Sequence, residues 1–147
     1  MPLTPNLDEN GAVVAQDHEG IVDDDLIIRR ISEQQITFDK ATGRRRISSL
    51  AYNGASAVGK GMSVDIEKLI SADGKDPKEF VTNPRWFCSV FFRAGDLRAE
   101  ALKIGPVPQD DNPYHGEVWG NFTGAKKRRL MRTAAWYVPI DGVDLCP

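Results

Sequence analysis

The sequence predicts an α+β fold: a small mixed or antiparallel sheet packed with a short helix and a C-terminal amphipathic helix. Two observations point there. Short β-branched or aromatic runs recur along the chain, the strongest being Trp86-Phe87-Cys88-Ser89-Val90-Phe91-Phe92, and such runs suit strands. The stretch after Thr123 instead spaces Leu130, Met131, Ala134 and Val138 as one stripe of a helix. The resulting order, β-rich segment, short α, β-hairpin, α, is that of an α+β domain.

The elements follow in order. Residues 1–21 mix Pro, Asn, Asp, Gln and Gly with little periodicity, which predicts an acidic disordered tail. A single globular domain is expected over 22–142, and a C-terminal tail over 143–147. Leu26 to Ile31 reads as the first strand and Gln35 to Phe38 as a half-buried one, closed by turn chemistry at Asp39-Lys40-Ala41-Thr42-Gly43. Ile47 to Tyr52 is a further strand candidate, followed by a glycine-rich loop from Asn53 to Gly61. Ser63 to Ile70 is read as a short helix, with Ser63 as N-cap and Asp65 and Glu67 favouring its positive end. Aromatics pointing to both faces make Trp86–Phe92 a central, doubly covered strand. Leu97 to Ile104 accepts either strand or helix. Gly105 to Pro113, with three prolines, is a loop, and His115 to Asn121 a strand. A helix capped by Thr123 is expected to run to about Val138, where Pro139 stops it.

Composition narrows the class. The 147 residues suit one domain with its own core. Two cysteines, Cys88 and Cys146, are no disulfide framework and suggest a reducing, cytoplasmic setting. No apolar run approaches the ~20 residues needed to span a bilayer, so no membrane partner is expected. Charge is uneven. Residues 1–28 hold seven acids and no base, whereas the rest holds all 19 bases against the 14 acids left of the 21. An acidic arm on a mildly basic body points to a protein partner, with nucleic acid as an alternative.

Several motifs come close to known chemistry. Gly54-Ala55-Ser56-Ala57-Val58-Gly59-Lys60-Gly61 nearly spells a phosphate-binding loop, but Gly61 stands where a magnesium-holding hydroxyl belongs. His115-Gly116-Glu117 has the H-x-E of zinc deaminases without the downstream C-x-x-C, so no metal and no cofactor are expected. Ser48 or Ser49 with Asp65 and His115 supplies the residue types of a serine triad, but no G-x-S-x-G elbow surrounds the serine. Tyr114, His115 and Glu117, reached through the stiff Pro106, Pro108 and Pro113, form the expected ligand or partner surface, with Gly116 leaving room for approach. Basic clusters occur at Arg29-Arg30, Arg44-Arg45-Arg46 and Lys126-Lys127-Arg128-Arg129. On the expected last helix Arg129, Arg132 and Trp136 share a face, the nucleic-acid candidate.

Arg29 or Arg30 on the first strand, Ser48-Ser49 on a later one and Glu117 near the end follow the order of the R-S-E arrangement that this chain resembles, that of ADP-ribosyltransferases. The resemblance implies an arginine on NAD phosphates, a serine strand bracing the site, and a glutamate stabilising an oxocarbenium-like transition state. The S-T-S form is absent, and His115 stands where that family has Glu or Gln. Leu26–Ile31, Ser48–Tyr52, Met62–Leu69 and Asn112–Gly120 also resemble uncharacterised small bacterial cytoplasmic proteins, a likeness that implies no activity. The leading expectation is a small non-enzymatic binding or accessory protein. The alternatives are an enzyme using NAD or a nucleotide, with Arg30, Ser49, His115 and Glu117 around one cleft, or a nucleic-acid-binding module. An enzyme requires those four side chains to converge.

Overall fold

The computed structural model describes residues 3–82 and 86–145. In chain order it holds β1 (Leu26–Ile31), β2 (Ile36–Asp39), β3 (Arg44–Ile47), β4 (Met62–Ile66), α1 (Glu67–Ala72), α2 (Pro77–Val81), β5 (Cys88–Arg93), α3 (Ala94–Ala99), β6 (Lys103–Pro106), β7 (His115–Trp119), α4 (Gly124–Thr133), β8 (Ala135–Val138) and β9 (Val143–Asp144). The fold is α+β. Six strands form an antiparallel sheet in the order β6-β7-β4-β1-β5-β8, and β2-β3-β9 form a second, small sheet. Neighbouring residues Ile27 and Ile28 on β1 are both fully buried. Because successive side chains point to opposite faces, both faces of the sheet are covered at its centre.

Pairing overrode local propensity in three places. Residues 62–66 form β4 rather than the start of a helix, since Met62, Val64 and Ile66 all enter the core while the strand pairs with β7 and β1. The helix begins only at Glu67. The C-terminal helix, capped as expected by the Thr123 hydroxyl accepting from Lys126 N at 3.1 Å, ends at Thr133. Ala134 is already extended, with φ −61° and ψ 141°, and Ala135–Val138 pair with β5. The β-branched and aromatic Trp136, Tyr137 and Val138 fit a strand better than a helix end. Between Ile47 and Tyr52, β3 gives way to a short 3-10 turn at Ser49–Ala51, where the Ser48 hydroxyl accepts from Leu50 N. Val143–Asp144, expected in a tail, pair with β3, and Val143 is buried. The segment 97–104 is helix first and strand after.

The acidic N-terminal segment also differs from expectation. It is docked, and charge explains where. Arg98 on α3 holds Asp17 at 2.9 Å and Asp23 at 2.8 Å, and its Nη2 donates to the carbonyls of His18 and Ile21. These carboxylate bonds raise the Arg98 pKa although burial opposes them. His18 N donates to Ile104 O at 2.9 Å, and Asp17 accepts from Ile104 N at 3.1 Å, so the segment covers the free edge of β6. Asp25 pairs with Lys68 at 2.6 Å. Ile21 is in the core at 1% exposure.

Burial pushes the Cys88 thiol up to about 11. Its thiolate fraction near neutral pH is therefore small, and thiolate is the reactive form. Native protein treated with iodoacetamide should leave Cys88 unmodified while denatured protein is alkylated there, as read by peptide mass spectrometry. Cys146 lies outside the described residues.

Candidate ligand-binding cleft

The central pair of strands separates partway along. β1 and β4 pair at Ile27–Ile66 and Ile28–Asp65, but beyond this Arg29 and Arg30 pair only with β5 and Ser63 and Val64 only with β7 among the described residues. A cleft of about 420 Å³ opens at this fork, lined by Arg29, Arg30, Ser63, Val64, Asp65, Phe80, Trp86, Gln109, Asp111, Asn112 and His115. Register places the polar groups. Asp65 lies opposite Ile28 and His115, and Ser63 opposite Glu117, so Arg30, Ser63, Asp65, His115 and Glu117 share one face of the sheet.

Arg29 bridges the fork. Its Nε donates to Ala51 O at 3.0 Å and its Nη1 to Ser63 O at 2.9 Å. Both acceptors are neutral carbonyls, and burial lowers its pKa from the usual value. Arg30 donates from Nε to Asp65 Oδ2 at 2.8 Å, and its guanidinium packs against the rings of Phe80 and Trp86, 5.3 Å and 5.8 Å from their centroids. Among the described residues its two terminal nitrogens make no hydrogen bond. Asp65, buried at 3% exposure, is satisfied on its other oxygen by Asn112 Nδ2 at 2.7 Å. A buried carboxylate held on both oxygens is the arrangement burial requires.

The loop before β7 makes the facing wall. Gln109 and Asn112 close a turn through two backbone hydrogen bonds of 3.0 and 3.1 Å, and the Asn112 side-chain oxygen accepts from Tyr114 N. Asp111 sits in that turn, exposed. His115 Nδ1 lies 2.9 Å from Val107 O. A carbonyl can only accept, so Nδ1 carries a proton, and in the tautomer with that one proton Nε2 offers a lone pair.

The structure brings Arg30 and His115 to this cleft and leaves the other proposed catalytic residues elsewhere. Ser49 sits on the 3-10 turn, which packs with α4. The Glu117 carboxylate is 3% exposed and accepts from Gly59 N at 2.8 Å, Gly61 N at 3.1 Å and Trp119 Nε1 at 3.2 Å. It is not solvated, and it occupies amides of the glycine loop that a phosphate would otherwise meet. Gly59 reaches this position with φ 85°, a value suited to glycine. A Cβ on Gly61 would lie 2.8 Å from Val118 O, so β7 must pass close by. No helix starts at Lys60, because β4 follows at Met62.

Tyr114, His115 and Glu117, expected as a ligand or partner surface, are all buried, and of the three His115 lines the cleft. Tyr114 donates to Asp73 Oδ2 at 2.6 Å, a bond that raises its phenol pKa. It also stacks edge-on to Phe80 at 5.1 Å. Gly116 leaves no room: a Cβ there would meet Gly105 O at 2.9 Å. Tyr114 lines a separate, mainly apolar cavity of about 290 Å³ with Leu3, Leu69, Ala72, Asp73, Pro108 and Pro113.

The nucleic-acid candidates do not share a helix face. Arg129 is paired with Glu100 at 2.7 Å, Arg132 is exposed on α4, and Trp136 belongs to β8. In the arginine cluster of β3, Arg44 pairs with Asp144 and Arg46 with Asp39. Among the described residues no group of three or more His, Cys, Asp or Glu is arranged to hold a metal ion, and no helix is long and apolar enough to cross a membrane.

Sequence reasoning missed Asp65, Phe80 and Trp86 as partners of Arg30, and Asn112 as the partner of Asp65. One signal was present: Asp65 stands between Val64 and Ile66, and a carboxylate inside an apolar strand needs a partner. No known protein family, curated protein or solved structure matches the chain.

Proposed function

We propose that this chain is a small non-enzymatic binding protein whose cleft takes a small molecule bearing an oxyanion, either a carboxylate or a phosphate. One observation carries the reading: Arg30 lines the cleft with Nε fixed by Asp65 and both terminal nitrogens unbonded among the described residues. Guanidinium donors lie in one plane, and its two terminal N–H groups match an oxyanion bidentately. Packing against Phe80 and Trp86 holds that plane still, which lowers the entropy cost of binding. Arg29 adds positive potential, its hydrogen bonds among the described residues going to carbonyls rather than to a carboxylate. A volume of about 420 Å³ is the size of a small-molecule site. A cytoplasmic setting is part of the proposal and rests on the cysteine usage. The enzymatic rival would need Ser49 and the Glu117 carboxylate at the same cleft, where neither lies.

The test is an NMR titration of the whole chain with acetate and with inorganic phosphate, following the Arg30 Nε–H and Trp86 indole resonances. At least one anion should shift them saturably. Arg30→Lys keeps a charge opposite Asp65 but loses the fork, so it should weaken binding about tenfold or more. The absence of saturable shifts with both anions, or equal binding by Arg30→Lys, would overturn the reading.

A further inference from the structure

The geometry points to a zwitterion as the ligand: a molecule carrying a cationic amino group as well as its oxyanion. This rests on the cleft being an oxyanion site, and it comes from the β7 side of the lining. Strand β1 supplies Arg29 and Arg30, while β7 and the loop before it supply His115, Gln109, Asp111 and Asn112.

Beside the Gln109 amide, which offers both donors and an acceptor, this side presents acceptors. The Asn112 amide gives one N–H to Asp65 and accepts from Tyr114 N on its oxygen. His115 has its proton committed to Val107 O, so what remains is the lone pair on Nε2. Asp111 has an exposed carboxylate with no ion pair among the described residues. Its backbone is held in place by the turn that Gln109 and Asn112 close. Both oxygens of Asp65 are already bonded, so Asp65 balances Arg30 rather than adding a second free acceptor.

Among the described residues the charged lining comprises the guanidinium groups of Arg29 and Arg30 and the carboxylates of Asp65 and Asp111. A simple anion would meet the guanidinium side well and face Asp111 uncompensated. A simple cation would do the reverse. A molecule with an oxyanion at one end and an ammonium group at the other satisfies both walls, because the ammonium donates to the Asp111 carboxylate and to His115 Nε2.

The experiment compares chain-length pairs on the full protein near neutral pH: glycine with acetate, γ-aminobutyrate with butyrate, and ε-aminocaproate with caproate. At least one amino acid should bind about tenfold tighter than its plain carboxylate. Asp111→Asn, a change at an exposed turn residue, should erase that advantage and leave the plain carboxylate no weaker. If no amino acid outbinds its match, or the advantage survives Asp111→Asn, the ligand is not a zwitterion held this way. Plain carboxylates that still bind would leave the oxyanion reading standing. If neither member of any pair binds, and inorganic phosphate does not bind either, both readings fail together.

Discussion

Glu117→Ala is expected to destabilise the protein by about 3–5 kcal/mol, since each hydrogen bond to a charged acceptor contributes about 1.5–3 kcal/mol and water recovers part of that at the loop. The size follows from what the carboxylate satisfies. Two loop amides, Gly59 N and Gly61 N, and the Trp119 indole N–H converge on it. Deleting it strands the Trp119 N–H in the core, where an unsatisfied donor costs about 1–3 kcal/mol, and cuts the two bonds that tie the partly exposed glycine loop to β7. Glu117→Gln preserves the volume and one acceptor oxygen, so a smaller loss of roughly 1–3 kcal/mol is expected. Urea unfolding measures both variants, and amide exchange at Gly59 and Gly61 should quicken in parallel. A loss under about 1 kcal/mol for Glu117→Ala, the ordinary size for a surface position, would show that the carboxylate does not anchor the loop.

Removing residues 1–21 is the second large effect. Its expected cost is about 4–6 kcal/mol, with a fall in the thermal midpoint of roughly 10–20 °C for a chain of this size. Ile21, at 1% exposure, contributes roughly 1.5–3 kcal/mol by burial. The truncation also takes from Arg98 the carboxylate of Asp17 and the carbonyls of His18 and Ile21. Ordering the segment costs conformational entropy, which keeps the net figure below the sum of its contacts. The truncated chain also bares the edge of β6, and unpaired edges recruit other strands. Calorimetry with size-exclusion chromatography checks both consequences. A midpoint within a few degrees of the full chain, with a single monomeric peak, would mean the docked segment contributes nothing to the fold.

Sequence patterning went furthest where one strand's own residues decide its state. Leu26–Ile31 was legible because β-branched residues fill it, and Asp39–Gly43 because turn chemistry is local. The same patterning failed where a distant partner decides. Met62-Ser63-Val64-Asp65-Ile66 carries a plausible helix start at Ser63, yet pairing with β7 and β1 makes it a strand. Trp136 fell on a helix face only while the helix was assumed to continue past Thr133. The site was half legible. Arg30 and His115 were singled out and do meet at one cleft, but the choice of Ser49 and Glu117 followed a motif order that register does not honour. No local spacing links Arg30 to Asp65, Asp65 to Asn112, or Glu117 to a glycine loop some sixty positions earlier. The acidic arm was misread for a related reason. Its composition is that of a free chain, and its order comes from Arg98, far along the sequence.

The fork between β1 and β4 also has a mechanical meaning. It divides the large sheet into two three-strand plates, β6-β7-β4 and β1-β5-β8, whose shared ladder is confined to Ile27–Ile66 and Ile28–Asp65 among the described residues. A short seam resists twisting less than a full ladder does. The Arg30–Asp65 ion pair, with Arg29 reaching Ser63 O, works as a set of struts across the open end. A molecule lodged there would brace one plate against the other, so occupancy would register as sheet stiffness at the outer strands β6 and β8.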